Sequence, residues 1–91
     1  MEYTNYLQAT DFNQELCSTI AMEECGELIQ AISKAKRGKL DEENLAEEIA
    51  DVFIAINWIM EIYDIDMTEV EKWRQFKINR ILNRLNNNNF D

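Results

Sequence analysis

The chain has 91 residues, with 9 Lys and Arg against 18 Asp and Glu, no His, and a formal net charge of −9; it makes one acidic domain. Such a surface repels phosphate backbones, so no nucleic-acid partner is expected, and the missing His excludes Ser-His-Asp, Cys-His and Glu-x-x-His di-iron chemistry. With 46% hydrophobic residues but only 2 Gly and 0 Pro, the chain is too apolar for a disordered tail and too poor in turn formers for a sandwich or barrel.

Four helical segments are predicted. The first covers about residues 2–9. Glu2 stands where an export leader would be basic, so a cytoplasmic protein is expected. The second runs from Asp11 or Asn13 to Arg37. Lys34, Lys36 and Arg37 suit the negative dipole end of its last turn, and Gly38 fits a left-handed cap. Cys17 and Cys25 lie on it about 12 Å apart along the axis, too far to bridge. The third spans residues 42–63, capped by Asp41 and stapled by Leu40 and Leu45. It holds the longest apolar stretch, residues 52–56, far short of the roughly 20 residues of a membrane span. The fourth spans residues 66–85, with Asp66 and Glu69 as an acidic capping box and Ile65 with Val70 as staple. Residues 1–85 then form one domain and residues 86–91 a frayed, Asn-rich tail.

Helical periodicity gives the second segment one apolar stripe: Leu16, Cys17, Ile20, Ala21, Leu28, Ala31, Ile32 and Ala35. Glu24 falls inside it, Glu27 at its edge and Glu23 on the border. On the third segment the main stripe is Leu45, Ile49, Val52, Phe53, Ile56, Ile59, Met60 and Tyr63, and Glu48, Asp51, Ala55, Trp58 and Ile62 form a second line on the adjacent face. On the fourth, Met67, Val70, Ile78, Ile81 and Leu85 form one stripe, while Trp73 and Phe76 point elsewhere. Ile54, Trp58, Trp73 and Phe76 have no second core to enter in a chain this short. The expected architecture is therefore a compact antiparallel all-α bundle of about four helices, completed by homo-oligomerisation.

A lone buried carboxylate is costly, so acids inside an apolar stripe must be paired, protonated or bound to a cation. Glu24 and Glu27 stack one turn apart, as do Glu48 and Asp51 on the next segment. A short connection at Gly38 makes the two segments antiparallel neighbours, so the pairs can face one another. Either pair alone is what a solvated helix face carries; both together inside apolar stripes are not. An all-oxygen ligand set selects hard ions, Mg²⁺ first and Mn²⁺ second. Gly26 in mid-helix points to close approach of another backbone or a ligand.

The stretches EECGELIQAISKAKRG and NLAEEIADVFIAINWIM, with IDMTEVEKW after them, resemble the MazG-like all-α nucleoside triphosphate pyrophosphohydrolases. Their signature is EExxE, a spacer, then ExxD before an apolar run, and the resemblance covers about residues 18–80. It implies Mg²⁺-dependent cleavage of a (d)NTP to the monophosphate and pyrophosphate by a homodimer or homotetramer, for clean-up or adjustment of a nucleotide pool. Glu24, Glu27, Glu48 and Asp51 match the metal-binding acids. Glu23 and Glu47 match the extra acids and take outer or water-activating roles. Lys77, Asn79 and Arg80 are similar to the phosphate-contacting cluster of the last helix, a part that Lys72 or Arg74 also fits. Ala55 replaces an aromatic residue present in dCTP- and dUTP-preferring relatives, which leaves the base preference open; Tyr6 and Phe12 are candidate stacking groups. Two rival readings stay in view: a non-catalytic helical interaction module, and a degenerate relative that binds nucleotides without hydrolysing them.

Overall fold

A computed structural model describes residues 13–87, and every regular element among them is helical. Helix α1 is Gln14–Lys36, α2 is Glu42–Ile62 and α3 is Met67–Asn86. These are the second, third and fourth expected segments, with ends within a residue of those read from the sequence. The first expected segment, Tyr6, Phe12 and most of the Asn-rich tail lie outside the described residues.

The ends form where short polar side chains replace missing helical partners. Asn13 Oδ1 accepts from Leu16 N at 2.9 Å, Asp41 Oδ1 from Asn44 N at 3.0 Å and Asp66 Oδ1 from Thr68 N at 2.9 Å. That last bond holds the Asp66 carboxyl below the ordinary aspartate range. Helix α1 ends at Gly38, whose φ of 80° lets Lys39 N reach Lys34 O at 3.0 Å and Gly38 N reach Ala35 O at 3.1 Å. This is the paired closure of a Schellman motif. Asp64 does the same at the end of α2 with φ 53°, where Ile65 N donates to Met60 O at 2.8 Å.

Helices α1 and α2 pack against each other as an antiparallel pair. Glu27 lies beside Glu48, Glu24 beside Asp51, and Ser18 Oγ is 3.3 Å from Tyr63 Oη. The fully buried side chains are small: Cys17, Ala21 and Ala31 on α1 and Ala55 on α2. Ile20, Leu28, Val52, Ile54, Ile59 and Ile62 flank them, half-buried.

The α1 stripe faces inward largely as its spacing indicates, with Leu16 and Ile32 at the open margins. On α2 the assignment of faces is corrected. The line Glu48, Asp51, Ala55, Trp58, Ile62 meets α1, while much of the more hydrophobic stripe lies outside, with Phe53 64% and Ile56 46% exposed. Hydrophobicity alone ranks the branched and aromatic side as core. The pair instead packs on its small residues, which let two helices approach most closely, and the bulky stripe remains for another surface.

Helix α3 has no buried residue and touches the pair only weakly. The radius of gyration is 16.3 Å, against about 12 Å for a compact domain of this length. Trp73 and Phe76 meet edge to face with centroids 5.9 Å apart, both more than half exposed.

Gly26 departs from expectation. A Cβ built there meets nothing within 4 Å, so no close approach within the described chain requires glycine. The two glycines therefore respond to alanine with opposite signs in a denaturant titration. Gly38→Ala, forced to positive φ, loses about 1 kcal/mol. Gly26→Ala gains up to about 1 kcal/mol from helix propensity; a loss there would show that something beyond these residues fills the space.

Candidate metal centre

The helix pair brings together acids separated in sequence by more than twenty residues. One carboxylate oxygen each from Glu24, Glu27 and Glu48 lie within 4.8 Å of one another, and so do oxygens from Glu47, Glu48 and Asp51. Glu48 belongs to both groups. The i, i+3 spacing on each helix stacks the acids, and the antiparallel register sets the two stacks face to face.

Their environment is only partly aqueous. Glu24, Glu48 and Asp51 are half-buried. Glu24 Oε2 and Glu48 Oε2 are shielded from solvent and have no hydrogen-bond partner among the described residues. Burial pushes the Glu24 carboxyl above the ordinary glutamate range, helped by the charges of Asp51 and Glu27, a hydrogen bond with Asp51 and the charge of Glu48. Glu48 is raised likewise, by burial first, then by the charge of Glu27, a hydrogen bond with Glu27, and the charges of Asp51 and Glu47. Ionised together the acids repel one another, and a proton or a cation relieves that repulsion.

A hard divalent cation fits this donor set. All ligand atoms are carboxylate oxygens, the two orphaned oxygens belong to opposite helices, and no His or thiolate is among the grouped atoms.

Beside the acids is a cavity of about 140 Å³ lined by Ile20, Glu24, Asp51, Ile54 and Trp58. Trp58 Nε1 is shielded from solvent and, like the two glutamate oxygens, has no partner among the described residues. Trp58 lies on the same face as Glu48 and Asp51, as the second line of α2 indicates, and is half-buried beside them. Its spacing from Asp51, two helical turns on, carries that information, but a tryptophan off the main apolar stripe reads first as surface.

The other predicted site residues are distributed differently. Glu47 joins the acids and is exposed; Glu23 is exposed and belongs to neither group. Lys77 and Arg80 line a separate groove on α3 with Ile81 and Arg84, and no carboxylate borders it. Asn79 Oδ1 accepts from Gln75 Nε2 at 3.1 Å. Among the alternatives for the phosphate role, Arg74 is engaged by Glu71 at 3.1 Å.

The raised carboxyls give the metal-free protein a definite pH dependence. The native state holds protons that the unfolded chain releases, so the native pair adds stability below the ordinary glutamate range. That contribution is lost as pH rises through the raised values. A divalent cation binds only the ionised pair and stabilises by mass action, so its benefit grows over the same window. Melting curves across the weakly acidic range, with chelator and with Mg²⁺, should diverge as pH rises. Glu48→Gln should flatten the chelated curve and raise its melting temperature near neutrality. Curves separated by a constant gap would mean that the cation does not replace these protons.

The family model of the MazG nucleotide pyrophosphohydrolase domain matches residues 12–86, which include both acidic motifs and α3. No curated protein and no solved structure matches the chain significantly. With nearly its whole length matched and its acids facing one another across the α1/α2 groove, the chain belongs to the MazG nucleotide pyrophosphohydrolase family.

Proposed function

We propose that the protein is a Mg²⁺-dependent nucleoside triphosphate pyrophosphohydrolase. It converts a (d)NTP to the (d)NMP and pyrophosphate and so clears or adjusts a cytoplasmic nucleotide pool. One observation carries this reading: in a chain of this family, four acids converge with two oxygens buried and unpartnered. Glu24, Glu27, Glu48 and Asp51 would hold Mg²⁺, with Mn²⁺ the second fit. Bound there, the ion supplies charge neutralisation for a polyphosphate and lowers the pKa of water.

The chain's own residues have separable tasks. Glu24 and Glu48, whose carboxyls are raised by burial, must be ionised before the site is competent. Glu47 lies within the acidic group yet reaches solvent, so it is the better placed general base for the attacking water, with Glu23 in a supporting role. Lys77, Asn79 and Arg80 would contact the phosphates once α3, of this chain or of a second copy, lies over the acids. The net charge of −9 does not oppose an anionic substrate, because divalent ions invert the local field.

The same reading makes the working unit a homodimer or homotetramer. Ile49, Phe53 and Ile56 on α2 and Trp73 and Phe76 on α3 are exposed, and apolar patches of this kind mark subunit contacts. These surfaces equally suit a non-catalytic interaction module, but that function gives Glu24 and Glu48 no reason to be unpartnered and inward.

The decisive assay incubates the protein and Mg²⁺ with the eight common NTPs and dNTPs and scores pyrophosphate against orthophosphate. Pyrophosphate release is expected with at least one substrate. Glu48→Ala or Asp51→Ala should abolish turnover while preserving the fold, and Glu47→Gln should cost about a hundredfold or more in kcat, more than Glu23→Gln. Nucleotide binding without any product would leave only a degenerate relative. Phe53→Glu should lower the mass measured by light scattering; an unchanged mass would remove the α2 stripe from the subunit contact.

A further inference from the structure

The cavity beside the acids is not part of the ion site itself, because Ile20, Ile54 and Trp58 supply three of its five walls. Trp58, which lines it, holds an Nε1–H that is shielded from solvent and has no acceptor among the described residues. A buried donor left unmade costs stability that phenylalanine or leucine in the same space would spare. Indole donors inside proteins ordinarily find a partner.

The order of groups along the groove indicates what brings that partner. Glu27 and Glu48 come first, then Glu24 and Asp51, then Ile20 and Ile54, then Trp58, each step being about one helical turn of 5.4 Å. Ionic groups thus give way to apolar walls, and the walls end at a flat ring with one donor. A nucleotide has the same sequence of parts: charged phosphates, sugar, then a planar ring with acceptors on its edge. The cavity volume of about 140 Å³ is less than half the roughly 300 Å³ at which pockets for whole ligands begin. It suits the ring end of a nucleotide, with the phosphates outside on the acids.

We propose that Trp58 positions the nucleobase: the base enters between Ile20, Ile54 and Trp58 and accepts a hydrogen bond from Nε1. This rests on the carboxylates holding a metal–polyphosphate, as argued above.

The test uses the full chain with Mg²⁺. The protein has 2 Trp, and Trp73 is exposed on α3, so Trp73→Phe leaves Trp58 as the sole indole reporter. An α,β-imido analogue of the fastest-cleaved nucleotide should change Trp58 emission, whereas pyrophosphate, which lacks a base, should not. Trp58→Phe keeps the aromatic volume and removes only the donor. It should raise KM about fivefold to tenfold with kcat within twofold, leave pyrophosphate affinity unchanged, and hold or raise the melting temperature of the free protein, since phenylalanine carries no unmade donor. If the analogue binds by equilibrium dialysis but emission and KM do not respond, the role of Trp58 is overturned while the enzymatic reading stands. If neither the analogue nor pyrophosphate binds, the enzymatic reading fails and takes this one with it.

Discussion

The structure depends on the close approach of two helices through small side chains. Ala21 and Ala31 on α1 and Ala55 on α2 are nearly without exposure, and their size brings the axes near enough for Glu24 to meet Asp51 and Glu27 to meet Glu48. Leu or Phe at those positions would hold the helices apart and leave the acids to separate hydration. The core of the pair is thus small in volume, and the close approach it allows sets the carboxylates of the two helices face to face. The contact that joins the helices also sets like charges against each other, a repulsion that raises the carboxyls of Glu24 and Glu48 alongside burial.

Much of this is legible in sequence. Asn13, Asp41 and Asp66 mark where the helices begin, and Gly38 where α1 ends, because each satisfies a backbone group that no neighbour in the helix can. The meeting of Glu24, Glu27, Glu48 and Asp51 follows from i, i+3 spacing on two segments joined by a short turn. The inward face of α2 is not legible in the same way. Apolar periodicity selects the side bearing Phe53 and Ile56, whereas packing selects the side bearing Ala55, since complementarity between two helices is a property of both. Trp58 shares that inner side, and its place on the line of Glu48 and Asp51 is legible from spacing, whereas the cavity beside it is not. Gly26 is the reverse case, a residue whose cost implies a neighbour that the described residues do not supply.

The division between inner and outer faces also bears on how the chain functions. The α1/α2 groove holds the acids and the small cavity, and the bulky apolar groups of α2 and α3 lie elsewhere. The basic groove of Lys77, Arg80 and Arg84 belongs to the third helix alone. Acidic, apolar and basic surfaces are thus carried on different elements rather than mixed within one. The acidic groove and the exposed apolar stripes are distinct surfaces of the helix pair.

Asp64 gives this arrangement a lever. Because α3 rests on little else, its bearing is set at the joint where Asp64 takes a positive φ and Ile65 N closes on Met60 O. A non-glycine residue in that conformation admits a narrow range of torsions. The arm beyond it is about 30 Å long, so a 10° change at the joint swings its tip by about 5 Å. The reach of the Arg80 and Arg84 cations is thereby governed by a few torsion angles some fifteen to twenty residues upstream, and variation at position 64 would re-aim the arm without touching any group upon it.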